Sequence, residues 1–352
     1  MKYLSFLSFV GLIFMATACK YEKPQLTNSI KTKIAFGSCG REWQDQPIFN
    51  NVVNHEPDMF IFLGDNIYGD TKSMDTLKAK YQRLADKSSF QNLKQNVPIL
   101  ATWDDHDYGW NDIGRHYEYK KESKEIFLEF FNEPAKSERR KHEGIYHSLM
   151  YEYGDKKLQV ILLDNRTFRD NVKPYTDEFD DDGRYFYDLE YAPYEHSDST
   201  FLGEIQWEWL EKELNKQADI RLICSGSQFS IEYNGYESWA NFPHEQQRMV
   251  DLISKTRANG VVFLTGDVHY SEISKLETKG YPIHDFTSSG LSSTWKFATP
   301  NKNRIEGPIM DNHFGMLTID WALESPEIKM ETWDIQDNQR IEYTISLDEI
   351  SF

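Results

Sequence analysis

The sequence predicts a mixed α/β (α+β) protein in which helices flank two β-sheets. Apolar runs of four or five residues recur along the chain, and each one ends in a polar turn that is often acidic. Segments with the apolar spacing of amphipathic helices separate these runs, and further strands follow near the C-terminus. Runs that are apolar throughout are typical of strands buried on both faces of a helix-flanked sheet.

Six apolar runs are predicted to be strands that present functional residues at their ends. They span 33–36, 59–63, 99–103, 160–163, 221–224 and 261–264. Ligands in helix-flanked sheets bind beyond the carboxyl ends of the strands. The polar residues that follow these six runs are therefore the first place to look for a functional site.

The remaining elements are predicted from apolar spacing and composition. Helices are predicted at 48–55, 74–85, 118–131, 202–217 and 244–258. Later strands near 315–319, 328–332 and 341–345 predict a second sheet packed on the first. The acidic, Tyr-rich segment 171–199 is interpreted as an insertion or lid. A solvated loop and a calcium loop around 180–182 are the alternatives for that segment.

The N-terminus predicts an export signal. Lys2 precedes an apolar run over 3–15 that is too short for a permanent transmembrane helix, and small residues lead into Cys19. Cys19 stands as the lipidated Cys does in a bacterial lipobox, so 1–18 is interpreted as a lipoprotein signal peptide and 19–31 as a tether. The expected location is a bacterial membrane, facing the periplasm or the cell surface. An ordinary cleaved signal peptide is the alternative.

The net charge limits the classes of partner. The 352 residues include 57 acidic and 39 basic ones, for a net charge of −18. Such a balance repels nucleic acid unless basic residues cluster, and the sequence has no such cluster. We therefore expect no nucleic-acid binding, and nothing implies a protein partner. An anionic substrate would have to be attracted by bound cations.

One cysteine is left without an explanation as a disulfide or a packing residue. The chain has three cysteines, at 19, 39 and 224, and Cys224 lies in an apolar run where it is expected to be a small buried side chain. With Cys19 assigned to lipid, Cys39 stays unpaired in an oxidising compartment, where cysteines normally form disulfides. Cys39 therefore needs a chemical role.

Three strand-end segments are rich in metal ligands. They span 64–70, 104–107 and 266–270, and each follows an apolar strand. Together with Cys39 they can converge on one metal-binding cavity. For any one segment alone, a turn carboxylate that caps a helix is an equally good interpretation.

Seven ordered motifs resemble the alkaline phosphatase D (PhoD-like) branch of the metallophosphoesterases. They are FGSC at 36–39, FLGDNIYGDT at 62–71, PILATWDDHDYG at 98–109, VILLDNRTFR at 160–169, FLGEIQWEWL at 201–210, FLTGDVHYSE at 263–272 and TSSGL at 287–291. The resemblance implies a four-layer αββα sandwich with two mixed sheets over 32–352, and hydrolysis of phosphate esters. The N-terminal all-β domain of better-known members is not expected, because the first catalytic strand follows the tether directly.

The resemblance also implies a mixed-metal centre. It assigns Fe(III) to Cys39, Tyr68, Asp65 and His269, with Asp65 bridging to a second metal held by Asp105 and Asp267. Carboxylates replace the neutral ligands that most of the superfamily has at that second site, which favours calcium over zinc. One or two Ca²⁺ ions are expected, and Asp104 is the alternative to Asp105.

The expected reaction is in-line attack on phosphorus by a metal-bound hydroxide, without a covalent protein nucleophile. The resemblance makes His106 the proton donor to the leaving group. Arg166 is predicted to grip the phosphate, as is Arg169, and Asn111 is a further candidate ligand or phosphate donor. The substrate is expected to be a small phosphomonoester or phosphodiester. Phospholipase D-like action on lipid headgroups is one alternative, and a catalytically silent metal-binding surface lipoprotein is another.

Overall fold

The structure is a computed structural model that describes residues 30–176 and 189–352. The predicted signal peptide, Cys19 and nearly all of the predicted tether lie outside these residues, as do the acidic residues at 180–182. Within the described residues, no helix has the length and apolar character needed to cross a membrane.

The described residues form fifteen strands and seven α-helices. The strands are β1 (Lys31–Gly37), β2 (Met59–Leu63), β3 (Ile99–Thr102), β4 (His147–Tyr153), β5 (Lys156–Leu162), β6 (Lys173–Pro174), β7 (Tyr191–Ala192), β8 (Ile220–Ser225), β9 (Val261–Thr265), β10 (Ser271–Leu276), β11 (Ile283–Ser288), β12 (Arg304–Ile309), β13 (His313–Asp320), β14 (Glu327–Asp334) and β15 (Gln339–Ser346). The helices are α1 (Ile48–Asn54), α2 (Met74–Ala85), α3 (Ser88–Asn96), α4 (Asp105–Tyr108), α5 (Lys120–Phe130), α6 (Gly203–Leu214) and α7 (Pro243–Thr256).

The strands form two large mixed sheets. The first sheet has the order β15-β14-β13-β1-β2-β3, with β1, β2 and β3 parallel and β13 antiparallel to β1. The second has the order β12-β10-β11-β9-β8-β5-β4, with β5, β8, β9 and β11 parallel. All six predicted strands and the three late ones are present. Their expected grouping is wrong, because the six divide equally between the sheets and the late strands extend the first one.

Alternating side chains of β1 and β2 show that the molecule has four layers. Ile34, Phe36 and Ile61 pack with the strands of the second sheet in one core, and Phe36 meets Phe286 of β11 with ring centroids 4.9 Å apart. Their sequence neighbours Phe60 and Phe62 point the other way, into a core shared with the helices α1, α2, α3 and α5. Helices α6 and α7 cover the outer face of the second sheet. The architecture is an αββα sandwich.

Helix α2 shows why the predicted helices form where they do. Ser73 caps its first turn by accepting a hydrogen bond from the backbone N–H of Thr76 at 3.3 Å. Leu77, Tyr81 and Leu84 are buried at the spacing of one helix face. By contrast, α3 was not predicted because it is short and mostly polar, and β4, β10, β11 and β12 were not predicted because they lack uniformly apolar runs.

Candidate metal centre

The turns after β1, β2 and β9 bring three of the predicted ligands together where the two sheets meet. The Sγ atom of Cys39 lies 3.3 Å from Oδ2 of Asp65 and 3.6 Å from the backbone carbonyl of Asp267. A bridge between Ser38 and Ser289 joins the ends of the two sheets beside Cys39. Residues that are more than two hundred positions apart in sequence thus share one site.

Left-handed backbone conformations are concentrated in this site. Ten non-glycine residues among those described have positive φ angles, and six of the ten surround the site. Those six are Cys39, Asp65, Asp70, Asp112, Asp267 and His269. Such conformations cost about 1–3 kcal/mol each and persist where the surrounding structure holds them, commonly at functional sites. The clustering therefore indicates a functional site at these turns.

Cys39 and Tyr68 provide two donors whose ionised forms need a nearby cation. Burial and the charge of Asp65 raise the pKa of the Cys39 thiol well above its usual range. Burial, with Cys39 and Asp65, does the same to the pKa of the Tyr68 phenol. The Oη atom of Tyr68 and the Oδ1 atom of Asp65 are buried and have no hydrogen-bond partner among the described residues. Buried polar atoms of this kind are what a metal ion would satisfy.

Two groups of potential metal ligands share one residue, and within each group the ligand atoms lie within 4.8 Å of one another. The first consists of Asp65, Asp105 and His106, and the second of Asp105, Asp112 and Glu237. Asp105 belongs to both, and its Oδ1 atom is buried with no hydrogen-bond partner among the described residues. Burial together with the charges of Asp105 and neighbouring acids raises the pKa of Asp65 well above its usual range. So many carboxylates packed together would repel one another unless cations separated them.

The structure distinguishes the two candidates at the third motif. Asp104 points its Oδ1 atom at the guanidinium of Arg166, at 2.5 Å from Nε. A Cβ atom added at Gly64 or Gly226 would overlap the side chain of Asp104, so both glycines are needed for this packing. Asp105 instead belongs to both ligand groups. These contacts favour Asp105 as the ligand and give Asp104 a structural role.

His106 is held by a carboxylate partner. Its Nδ1 atom lies 2.7 Å from Oδ1 of Asp70, and its ring centroid is 4.3 Å from that of Tyr68. Burial opposes the charged form, but Asp105 and Asp70 outweigh it and raise the pKa of His106 to about 10. These two carboxylates thus favour the protonated imidazole that a general acid requires.

Asp267 and His269 line the same site from the second sheet. Partial burial and the charges of Asp104 and Asp105 raise the pKa of Asp267 well above its usual range. Nδ1 of His269 lies 3.0 Å from the carbonyl of Ser293, so it must carry the proton, which leaves the lone pair of Nε2 available for a metal. Cys39, Asp267 and His269 belong to neither ligand group, and their roles as ligands stay predictions.

Arg166 and Arg169 are fully buried in the wall of the site. Arg166 donates to Asp104 at 2.5 Å and to Glu237 at 2.6 Å, and Arg169 contacts Glu237 and donates to the carbonyl of Asp112 at 2.5 Å. These contacts support a role in holding the carboxylates in place. Direct phosphate binding by either arginine stays a prediction.

Asn111 lies at the edge of the site. Its side chain is exposed and donates to Oδ2 of Asp112 at 2.6 Å. The same carboxylate accepts a hydrogen bond from Tyr191, in the predicted insertion. The described part of that insertion therefore contacts the site, and the role of Asn111 as ligand or phosphate donor stays a prediction.

Sequence reasoning missed several residues that complete the site. Glu237 and Asp112 were missed because no motif surrounds them, and only the fold places them beside Asp105. Ser289 lies inside the TSSGL motif, and its hydroxyl is 3.0 Å from the Cys39 thiol and accepts from the His269 N–H at 2.9 Å. The motif therefore marked Ser289 in the sequence, but only the structure shows that it contacts Cys39 and His269.

Comparisons with known proteins find one family model and one curated relative that match this chain. The family model for PhoD-like phosphatases matches residues 34–308. Alkaline phosphatase D from Bacillus subtilis (strain 168) is 25% identical over 298 residues, which is 72% of this chain and 47% of that protein. The chain thus spans about half the length of this curated relative.

Two solved structures share the fold. A structure of PhoD aligns with a TM-score of 0.65 at 19% identity, over 90% of this chain and 68% of that one. The structure described as GAP50, the anchor in the inner membrane complex of Plasmodium, aligns with a TM-score of 0.57 at 12% identity, over 92% of this chain and 90% of that one. At these identities the likeness concerns the fold alone.

Proposed function

Because the chain belongs to the PhoD-like phosphatase family, we propose that it is a metal-dependent hydrolase of phosphate esters. The observation that carries the proposal is a set of buried oxygen atoms, on Asp65, Tyr68 and Asp105, that have no hydrogen-bond partner in 30–176 or 189–352. They lie at the ends of parallel strands, where ligands bind in folds of this kind. Small phosphomonoesters and phosphodiesters are the proposed substrates.

The donor set fits two kinds of cation. In this proposal Cys39, Tyr68, Asp65 and His269 hold Fe(III), since thiolate and phenolate are anionic donors that suit a trivalent ion. The 3.3 Å separation of Cys39 Sγ and Asp65 Oδ2 and the available Nε2 atom of His269 support this assignment. Both acidic donors must lose a proton on binding, so iron uptake would release protons.

Carboxylates dominate the other half of the proposed site. Asp65, Asp105 and Asp267 would hold calcium, which prefers carboxylate and carbonyl oxygens. The proximity of Asp112 and Glu237 to Asp105 adds oxygen donors there. When bound, such cations supply an activated water and neutralise charge on the phosphoryl oxygens.

The remaining chemistry belongs to the protein. His106 donates its Nδ1 proton to Asp70, so its other ring nitrogen is free to give a proton to the leaving-group oxygen. Asp70 fixes the orientation of the imidazole, and Asp105 favours its charged form. A site that only stored metal would not need this arrangement, which favours an enzyme over a silent metal-binding protein.

Substrate assays with metal analysis test the proposal. Purified protein is given a phosphomonoester, a phosphodiester and a phospholipid, each with Ca²⁺ and with EGTA, and iron and calcium per chain are measured. We expect hydrolysis of the small esters that EGTA removes and Ca²⁺ restores. Protein that contains its metals but hydrolyses none of the three would favour a silent metal-binding role. Preference for the phospholipid would favour action on lipid headgroups.

A further inference from the structure

Arg41 has a guanidinium group without a charged partner at the edge of the metal centre. Among the arginines in 30–176 and 189–352, only Arg41 and Arg257 have guanidinium groups with neither a hydrogen bond nor an ion pair. Arg257 lies over the ring of Phe352. In a chain with a net charge of −18, a cation with no carboxylate partner beside an acidic site is unexpected.

The position of Arg41 places its charge at the proposed metal ligands. It follows Cys39 by two residues, and its Cζ atom lies 5.8 Å from the ring centroid of Tyr68. The Tyr68 ring in turn lies 4.3 Å from His106 and 6.5 Å from His269, between centroids. The guanidinium of Arg41 therefore lies beside Tyr68, a proposed iron ligand whose ring also contacts that of the proposed proton donor His106.

Arg41 is better placed to bind a phosphoryl group than the two arginines favoured by sequence. Arg166 and Arg169 are fully buried and engaged by Asp104 and Glu237, so turning either one toward a substrate would leave buried carboxylates unpaired. Arg41 is only partly buried, and within the described part of the chain it has no such partner to lose. A guanidinium matches two phosphoryl oxygens with two parallel hydrogen bonds.

Trp43 adds an aromatic surface beside this cation. Its side chain is 53% exposed, its ring meets the edge of Tyr68 at 5.8 Å, and Arg41 lies 5.8 Å from its centroid. An exposed indole next to a reaction centre offers a flat apolar face on which a planar group can stack. The leaving group of a bound ester is the part of the substrate that would extend from the metals toward solvent.

We propose that Arg41 and Trp43 form the substrate subsite of this centre, an inference that rests on the function proposed above. Arg41 binds non-bridging phosphoryl oxygens, and Trp43 stacks on the leaving group. The substrate class that fits both is phosphate esters of planar, aromatic alcohols. Esters of small aliphatic alcohols use Arg41 but gain nothing from Trp43.

The Arg41 half is tested by phosphate binding and by turnover. Titration calorimetry with inorganic phosphate is performed on metal-loaded wild type, Arg41→Met, Arg41→Lys and the matched control Arg257→Met. We expect Arg41→Met to weaken phosphate binding about tenfold or more, with a similar fall in kcat/KM, and Arg41→Lys to lie between it and the wild type. Arg257→Met should match the wild type in both measurements.

The Trp43 half is tested by comparing two esters. Trp43→Ala should raise KM for 4-nitrophenyl phosphate roughly tenfold, and by much more than it raises KM for glycerol phosphate. An equal effect on both esters would overturn the stacking role. The phosphate role of Arg41 would be overturned if Arg41→Met matched Arg257→Met in phosphate binding and kcat/KM. Loss of iron or calcium from Arg41→Met would overturn it as well.

These outcomes also separate the inference from the proposed function. A wild type that hydrolyses no ester, yet binds phosphate through Arg41, would end the proposed function and leave the anion subsite standing. A wild type that hydrolyses esters without dependence on Arg41 or Trp43 would support the proposed function and overturn the subsite.

Discussion

At the scale of single residues, the candidate centre depends on side chains that would be unfavourable without a cation. Cys39, Asp65 and Tyr68 are all buried, and burial raises the pKa of each. A bound metal reverses this preference because it stabilises the ionised form of each donor. Ligand substitutions should therefore affect metal content more strongly than they affect folding.

Tyr68→Phe tests the iron assignment through an optical property. Concentrated wild-type protein is expected to be coloured by charge transfer from phenolate and thiolate to Fe(III). The variant should shift or lose the visible band, and activity should fall by more than about a hundredfold. Absorbance spectra and iron per chain provide the measurement, with Tyr343→Phe as a matched control distant from the site. A colourless, active wild type without iron would contradict the assignment.

His106→Asn tests the role of the proton donor. General acid catalysis contributes roughly 10²–10⁴-fold, and it matters most when the leaving group is basic. We therefore expect kcat to fall far more for glycerol phosphate than for 4-nitrophenyl phosphate, whose leaving group needs little protonation. The readout is the ratio of the two kcat values, with metal content measured in parallel. An equal loss for both esters would point to disruption of the site instead.

At the scale of secondary-structure elements, short turns position the ligands. Asp107 of α4 accepts hydrogen bonds from the backbone N–H of Asn66 at 3.0 Å and of Asp104 at 3.1 Å. It thereby ties the turn after β2 to the turn after β3. Gly64, with a φ of +106°, allows these turns to approach each other closely. The positions of Asp65 and Asp105 follow from this link.

Strand β11 carries a buried histidine that should make stability depend on pH. Neither ring nitrogen of His284 has a hydrogen-bond partner among the described residues, and burial lowers its pKa to about 4. The unfolded chain, with an ordinary pKa near 6.5, binds the proton more readily between about pH 4 and pH 6.5. The contribution of neutral His284 to stability is therefore complete above that window and is lost as the pH falls through it.

His284→Leu should remove this dependence. Between pH 7 and pH 5 the wild type should lose up to about 2 kcal/mol more unfolding free energy than the variant does. Urea unfolding at the two pH values measures the difference, and each protein serves as its own reference at pH 7. Parallel losses in the two proteins would show that His284 is not the group responsible.

At the scale of the whole molecule, the proposed metal centre connects the two sheets. Cys39, Asp65 and Asp105 follow strands of the first sheet, and Asp267 and His269 follow a strand of the second. Ions held between them would cross-link the halves of the sandwich and offset repulsion among the carboxylates.

Chelation should therefore lower thermal stability as well as activity. Binding at a hundred times the dissociation constant stabilises a native protein by about 2.7 kcal/mol. We expect EGTA to lower Tm by several degrees, and added Ca²⁺ to restore it. Scanning calorimetry at constant ionic strength gives the measurement. An unchanged Tm in protein that has lost its calcium would place the ion outside the junction of the sheets.

The location of the protein is a separate proposal that rests on the sequence of the N-terminus. We propose export and lipid attachment at Cys19, a residue outside the described part of the structure. Cys19→Ser should move the protein from the membrane fraction to the soluble fraction and remove the mass of the lipid. The single substitution Cys224→Ser, which leaves Cys19 intact, provides the control. Unchanged membrane association and mass in Cys19→Ser would contradict lipidation but not export.

The sequence by itself determined the mixed α/β class with two sheets, the strands that lead to the site, and the motifs whose family resemblance implied the αββα sandwich. Uniform apolar runs such as Met59–Leu63 signal burial on both faces, and this signal is local. Motifs such as FLGDNIYGDT are local as well, since Asp65, Tyr68 and Asp70 lie on one turn. Short-range patterns of this kind can be recognised without knowledge of the fold.

Only the tertiary structure decided which strands pair and which side chains meet. The β13–β1 pairing joins segments nearly three hundred residues apart, and no local pattern encodes it. Glu237 reaches Asp105, Arg166 is bound by carboxylates, and Arg41 has no charged partner among the residues that the structure describes. Each of these facts depends on packing between distant elements. Burial and charge pairing are properties of the assembled neighbourhood, so residue type and spacing alone could not separate the arginine in the wall from the one at the edge.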